Sequence, residues 1–251
     1  KKIESSNVFW NNTLATHNEK SLNKLISNCS ITSISRRGKY IILHLETGFI
    51  LIHLRMTGKL IFENLDEKVQ LNHLRFKINF SDKSSLNFID IRKFGRIEFH
   101  QNIEFLNKKL GIEPFSKKLT PQYLLNKLSK RTGPIKSALL NQSIIAGIGN
   151  IYADEILWKI QIHPNKVANK LSINKLTELI SATQETLQQA IDAMGTTFIN
   201  FSFDNGSKGN YGTQLNIFNK KGENCNRCSK VIKKIKCAGR GTYFCSSCQK
   251  I

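Results

Sequence analysis

Hydrophobic positions fall into two textures along this chain. In the first third they come as short runs and as strict alternation. Tyr40-Ile41-Ile42-Leu43-His44-Leu45 and Phe49-Ile50-Leu51-Ile52-His53-Leu54 flank the turn signal Glu46-Thr47-Gly48, so the pair reads as a hairpin. Leu74, Phe76, Ile78 and Phe80 alternate with Arg75, Lys77 and Asn79, the period-two mark of a half-buried strand. Residues 81–85 turn the chain into a strand over 86–91, and Ile97-Glu98-Phe99 is one more. Several strands at short spacing predict an antiparallel sandwich or barrel, with a helix around residues 22–27 packed on it.

The texture changes near Gly111-Ile112-Glu113-Pro114, and helical spacing takes over. Thr120-Pro121 is an N-cap followed by proline at the first helical position, leading into Tyr123, Leu124, Leu125 and Leu128. Pro134 opens a second helix through Ile135, Ala138 and Leu139. Gly147-Ile148-Gly149 breaks it, and residues 150–158 read as a third helix that ends at His163-Pro164. Ser172 caps a long helix whose face carries Leu176, Leu179, Ile180, Thr183, Leu187, Ile191 and Met194, stopped by Gly195. Residues 204–213, rich in Gly, Asn and Ser, read as a mobile loop. No internal repeat or low-complexity tract is present.

Composition narrows the function. The chain has 251 residues, 40% of them hydrophobic, which excludes wholesale disorder and suggests about two domains with a small appendage. No apolar run approaches the roughly 18 residues of a membrane-spanning helix. Lys and Arg number 38 against 18 Asp and Glu, a net charge of +20 with pI ≈ 9.8. Such a balance points to a polyanion, nucleic acid first and an anionic membrane second, beside the plain reading of a lysine-rich solvated surface.

Four of the six cysteines lie in the last 27 residues. Cys225-x2-Cys228 and Cys245-x2-Cys248, separated by 16 residues, have the spacing of two zinc knuckles. Four thiolates close a tetrahedral site, so one Zn2+ there is structural. Two disulfides or four free thiols are the alternatives. Metal-bound thiolates imply a reducing compartment. Between the knuckles, residues 231–236 and 242–244 read as two strands joined by Gly239-Arg240-Gly241, which puts Arg240 at a glycine-flanked tip among Lys230, Lys233, Lys234 and Lys236. That is either a phosphate-binding finger or a solvated arginine. Cys29 and Cys237 read as a core residue and a small strand residue.

These features converge on one resemblance. Arg36-Arg37-Gly38-Lys39-Tyr40, His53-Leu54-Arg55-Met56-Thr57-Gly58, Asp90-Ile91-Arg92-Lys93-Phe94-Gly95-Arg96, Ile148-Gly149-Asn150-Ile151-Tyr152-Ala153-Asp154-Glu155 and the terminal zinc hairpin occur in the order found in the formamidopyrimidine-DNA glycosylase family. The chain resembles that family from about Ser33 to its end. The resemblance implies an α+β, multi-domain architecture: an N-terminal antiparallel β-sandwich over 1–113, a helix–two-turns–helix domain over 114–215 and a C-terminal β-hairpin zinc finger over 216–251. It implies a base-excision-repair enzyme that removes oxidised purines, 8-oxoguanine and formamidopyrimidines, and cleaves abasic sites by β,δ-elimination. It implies double-stranded DNA with oxidised bases or abasic sites as partner, no membrane partner, a monomeric state and a bacterial cytoplasmic, nucleoid-associated setting.

Residue by residue, the resemblance makes Lys39 and Arg240 the groups that assist elimination. Arginine suits phosphate through its planar fork. His73, Arg92 and Asn150 become DNA-backbone contacts, with Arg131 and Lys136 as further phosphate contacts. Met56, Arg92 and Phe94 become the wedge that replaces a base taken out of the stack; the plain alternative for Met56 and Phe94 is core packing. The family opens with Pro-Glu, its proline amine being the nucleophile, whereas this sequence opens at Lys1. The sequence as given is therefore expected to be a fragment that binds abasic-site DNA without excising bases. Two rivals stand beside the leading reading: an endonuclease VIII-type glycosylase for oxidised pyrimidines, against which the Met56, Arg92 and Phe94 set argues, and a non-catalytic damaged-DNA-binding clamp.

Overall fold

The apolar runs of the first third become strands of two four-stranded antiparallel sheets in the computed structural model, which describes residues 1–64, 72–196 and 209–251. One sheet has the order β1 (Ile3–Val8), β6 (Leu74–Phe80), β7 (Ser85–Asp90), β5 (Gly58–Glu63); the other has β2 (Ile31–Arg37), β3 (Tyr40–Leu45), β4 (Gly48–His53), β8 (Arg96–His100). The expected hairpin is β3–β4, in register from Tyr40 opposite His53 to Leu45 opposite Gly48. Ile3, Leu43, Ile50, Ile52, Phe76, Ile78, Phe88 and Ile97 fill one core with Leu22 and Ile26 of α1 (Glu19–Ile26). Asn18 caps that helix through a reciprocal bond with Ser21.

Periodicity missed β1, β2 and β5, and all three are edge strands. An edge strand takes its main-chain bonds from one neighbour and needs little apolar surface. Only Ile3 and Ser6 of β1 are buried, and no residue of β2 is. Residues of Lys1–Asn107 form one unit, and the described residues from Lys108 onward form the second.

The second unit contains α3 (Pro121–Leu128), α4 (Ile135–Leu140), α5 (Asn150–Lys159), α6 (Ile173–Asp192) and the hairpin β9 (Lys233–Cys237), β10 (Arg240–Phe244). A short α2 (Glu104–Lys109) precedes them. Thr120 Oγ1 accepts the Tyr123 N–H, and Pro121 occupies the first turn of α3. Leu124, Leu139, Ile148, Ile156, Leu157 and Leu179 lie in its core.

Three readings are corrected here. Helix α5 ends at Lys159, ahead of His163-Pro164, because Gln161 turns left-handed (φ 61) and Ile162 N bonds back to Leu157 O. On α6 the buried stripe runs through Thr183, Thr186 and Ala190, leaving Ile191 and Met194 exposed. At 100° per residue, a position seven beyond Thr183 returns to within about 20° of its direction, while one eight beyond is about 80° away. In the zinc hairpin Arg240 pairs with Cys237, so the two-residue turn is Ala238-Gly239, both at positive φ, and Arg240 is the first residue of β10. Of the expected loop, residues 204–208 lie outside the described residues; of 209–213, the last three begin a 3-10 turn, Tyr211–Gln214, with Tyr211 buried.

Gly95 ends the β7–β8 connection where Phe88 and Asp90 leave no space: a Cβ there would collide with the Phe88 ring and lie 3.2 Å from Asp90 Oδ2. Gly95→Ala is expected to destabilise the first unit by about 1–3 kcal/mol through overpacking, read as a lower midpoint in denaturant unfolding.

Candidate nucleic-acid interface and metal centre

In the first unit, one buried carboxylate organises the exposed residues. Asp90 closes β7, only 1% exposed. Its Oδ1 accepts from the Thr57 hydroxyl and from Arg92 N (3.2 Å), and its Oδ2 accepts from Gly95 N (2.7 Å). Thr57 Oγ1 in turn accepts from Arg92 N at 3.1 Å. The turn carrying Met56 and the connection 91–95 are thereby tied to the same side chain. Met56 and Phe94 stand 55% and 48% exposed, which excludes core packing for both. Arg92 lies between them: Nη1 is 3.1 Å from Met56 Sδ, and the guanidinium stacks 4.9 Å from the Phe94 ring centroid. An apolar stem, an aromatic ring and a cation thus share one exposed cluster.

The same hub reaches His73. Asp90 N donates to His73 O (3.1 Å), and Arg75 Nε donates to Asp90 O (2.8 Å). His73 is exposed, with left-handed backbone (φ 64). Lys39 occupies the two-residue turn between β2 and β3, exposed at the end of a rigid ladder. Next to it, His53 accepts the Arg55 N–H on Nδ1. Burial first, then Arg55 and Lys39, push the His53 pKa down to about 4, so this ring is neutral where DNA is handled.

In the second unit, the four knuckle cysteines meet. Their sulfurs all lie within 4.8 Å of one another, Cys225 to Cys248 at 3.9 Å and Cys228 to Cys245 at 3.4 Å. A tetrahedral zinc with bonds of about 2.3 Å sets sulfurs about 3.8 Å apart, so the cluster fits one structural zinc. Burial opposes ionisation of Cys225, but the Trp158 indole N–H at 3.4 Å and the Arg227 and Cys228 amides outweigh it and hold that thiol below its ordinary range.

Sequence reasoning missed what fastens this module to α5. Lys136 and Asp154 form a fully buried ion pair at 2.6 Å. Lys136 Nζ also donates to Thr242 Oγ1 (2.7 Å) and to Gly241 O (3.4 Å), and Asp154 Oδ2 accepts from Tyr243 N (3.0 Å). Burial lowers the Lys136 pKa and raises that of Asp154 to about 6, each against the pull of its partner. Lys136 is therefore corrected: with no exposure it cannot be the expected phosphate contact, and its ammonium instead holds the strand that starts with Arg240. Glu155, also buried, accepts from the main-chain N–H groups of Asn216, Ile217 and Phe218, each at 2.9 Å. The signal was present in the quoted motif, since adjacent carboxylates on a helix point in different directions and can clamp two segments.

Asn150 and Arg240 are brought together. Asn150 opens α5 behind a Gly149 N-cap that offers no side-chain cap, and its Nδ2 donates to Gly241 O at 3.1 Å. Uncapped N–H groups at a helix start suit an anion. Exposed Arg240 stands beside them. Arg131 lies in the exposed turn between α3 and α4.

Comparison with known proteins gives a consistent picture. The formamidopyrimidine-DNA glycosylase N-terminal domain model matches residues 1–97, the formamidopyrimidine-DNA glycosylase H2TH domain model matches 110–202, and the zinc finger found in FPG and IleRS matches 222–251. The formamidopyrimidine-DNA glycosylase of Trichormus variabilis is 40% identical over 231 residues, 89% of this chain and 83% of that protein. Its counterpart in Mycoplasma pneumoniae is 37% identical over 254 residues, 99% and 92%. The Lactococcus lactis Fpg in complex with abasic-site DNA superposes with a TM-score of 0.90 at 36% identity, covering 100% of this chain and 93% of that one. MutM in complex with carbocyclic 8-oxo-G containing DNA gives 0.90 at 38% identity and the same coverage.

Two outcomes follow from the second unit. Lys136→Met strands a buried carboxylate and is expected to cost about 3–5 kcal/mol, with Lys136→Met/Asp154→Asn less destabilised than the sum of its parts; equilibrium unfolding of the four proteins completes that cycle. Metal analysis is expected to find one zinc per chain, and a chelator is expected to abolish DNA binding while the sandwich strands keep their far-ultraviolet dichroism.

Proposed function

The chain belongs to the formamidopyrimidine-DNA glycosylase family, and on that premise we propose how its own residues serve a base-excision-repair glycosylase and abasic-site lyase acting on oxidised purines in double-stranded DNA. The observation that carries the proposal is the exposed Met56–Arg92–Phe94 cluster on its Asp90 anchor. Attack on the sugar of a damaged nucleotide requires that nucleotide to leave the stack, at a cost of a few kcal/mol. Met56 and Phe94 fill the gap with apolar and aromatic surface, and Arg92 offers hydrogen bonds to the orphaned base. Asp90 keeps the cluster assembled before DNA arrives, so little ordering entropy is lost on insertion.

His73, Asn150 and Arg240 grip phosphates, together with Arg131 and the α5 N-terminus. Lys39 handles protons during β-elimination. A guanidinium does not give up its proton in proteins, so the part of Arg240 in the later elimination is electrostatic: it neutralises the departing phosphate. The zinc is structural: Cys225, Cys228, Cys245 and Cys248 hold it and leave no open position for chemistry. A thiolate-held metal fits work in the reducing cytoplasm, at the nucleoid.

Grip and wedge are separable. Arg240→Ala is expected to weaken duplex binding by about 1–3 kcal/mol and to reduce the slope of log affinity against log salt by about 1. Met56→Ala and Phe94→Ala should leave undamaged-duplex affinity and its salt slope in place and, tested in a protein extended at its N-terminus with the family's Pro-Glu opening, slow excision from 8-oxoguanine duplex, and slow nicking of a preformed abasic site less. Equal loss in all three assays would overturn the wedge assignment.

A further inference from the structure

We infer that Trp10, outside every motif singled out above, is a positioning residue for the wedge; the inference rests on the wedge reading of Met56, Arg92 and Phe94. The connection 91–95 alternates its side chains. Arg92 and Phe94 meet over Met56, whereas Lys93, between them, turns away with left-handed backbone (φ 60). Lys93 Nζ sits 4.1 Å from the Trp10 ring centroid. Its carbonyl accepts from Arg96 Nη1 at 3.3 Å. Asp90 therefore pins the connection from within, and Trp10 pins its outer residue.

The segment that presents Trp10 is itself stitched to both sheets. Phe9 N donates to Arg75 O (2.9 Å) at the start of β6, and Ala15 N donates to Ile97 O (3.0 Å) in β8. Between these ties, Thr13 N closes a turn on Trp10 O at 2.9 Å. The main chain on either side of Trp10 is thus tied to β6 and β8: β8 continues from the wedge connection, and Arg75 of β6 bonds to the Asp90 carbonyl. The indole N–H is buried and finds no acceptor among the described residues. A hydrogen bond left unmade at that point is unfavourable, and the face of the ring meets the Lys93 ammonium. A non-glycine residue held left-handed is unfavourable as well, and persists where its surroundings fix it. Asp90 holds the main chain on either side of Lys93 and Arg96 holds its carbonyl, while the cation–π contact fixes its side chain; losing that contact would loosen Lys93 and with it the register of Arg92 and Phe94 against Met56.

The test reads insertion directly. The probe is a duplex carrying a tetrahydrofuran abasic analogue with 2-aminopurine at the neighbouring stacked position, which brightens when the wedge opens the stack. With the full chain, Trp10→Ala is expected to slow brightening about fourfold, the scale of one exposed cation–π contact, while duplex affinity changes by less than about 1.5-fold. Trp10→Phe, which keeps a π face, restores most of the rate. Lys93→Met slows it as Trp10→Ala does, and the double variant is no slower than either. Should Trp10→Ala fail to fold, Trp10→Phe and Lys93→Met carry the comparison. Unchanged brightening in Trp10→Ala or Lys93→Met overturns the assignment, as do multiplying losses in the double variant. Absence of brightening with the unsubstituted chain overturns the wedge reading itself, and Trp10's role with it.

Discussion

Buried carboxylates bonded to main-chain N–H groups hold the functional surface of this protein in place. Asp90 accepts from Arg92 and Gly95, Asp154 from Tyr243, and Glu155 from Asn216, Ile217 and Phe218. Asp90 closes β7 and collects the irregular connection that follows it, while Asp154 and Glu155, in the middle of α5, collect β10 and residues 216–218. A charged acceptor forms stronger bonds than a neutral one, and desolvation makes the arrangement intolerant of partial satisfaction. The result is a division of charge. Part of the small acidic complement works inside as internal scaffolding, and the basic excess is left to the surface, where a phosphate backbone can meet it.

The two kinds of functional residue need different supports. Phosphate contacts tolerate reach and mobility because charge acts over a Debye length of about 8–10 Å. A wedge does not: it must match the thickness of a base step. The structure follows that distinction. Arg131 stands in an exposed turn between two helices, while Met56, Arg92 and Phe94 are locked to one carboxylate and to each other.

Much of this was legible in the sequence, for physical reasons. Central strands such as β3, β4 and β6 must bury side chains between sheets, so their apolar positions announce them. The edges β1, β2 and β5 share the ladder on one side only; β1 and β2 carry Ser, Asn and Arg where periodicity looks for Val or Ile, and the apolar residues of β5 are a run of three between Lys59 and Glu63 with no alternation. Helix caps were readable at Thr120 and Ser172 because capping is local chemistry. Lys136 was misread because a lysine near a helix start looks like a surface cation; its partner is 18 residues away and the strand it holds is more than 100 residues away. Arg240 was placed at the turn apex because glycines on both sides suggest one, whereas the register put the reversal at Ala238-Gly239. Long-range pairing of this kind leaves no local trace.

Helix α5 is held along its length by the zinc module. Asn150 at its start donates to Gly241, Asp154 and Glu155 in its middle accept from the hairpin and from the segment entering it, Trp158 donates to a zinc thiolate, and Arg227 donates to the Trp158 and Lys159 carbonyls at its end. Metal occupancy and the shape of the helix start proposed to grip phosphate are therefore coupled, and thermodynamic linkage runs both ways. Whatever factor zinc adds to the affinity for DNA, DNA adds to the affinity for zinc, so the protein holds its metal hardest while it is engaged on its substrate.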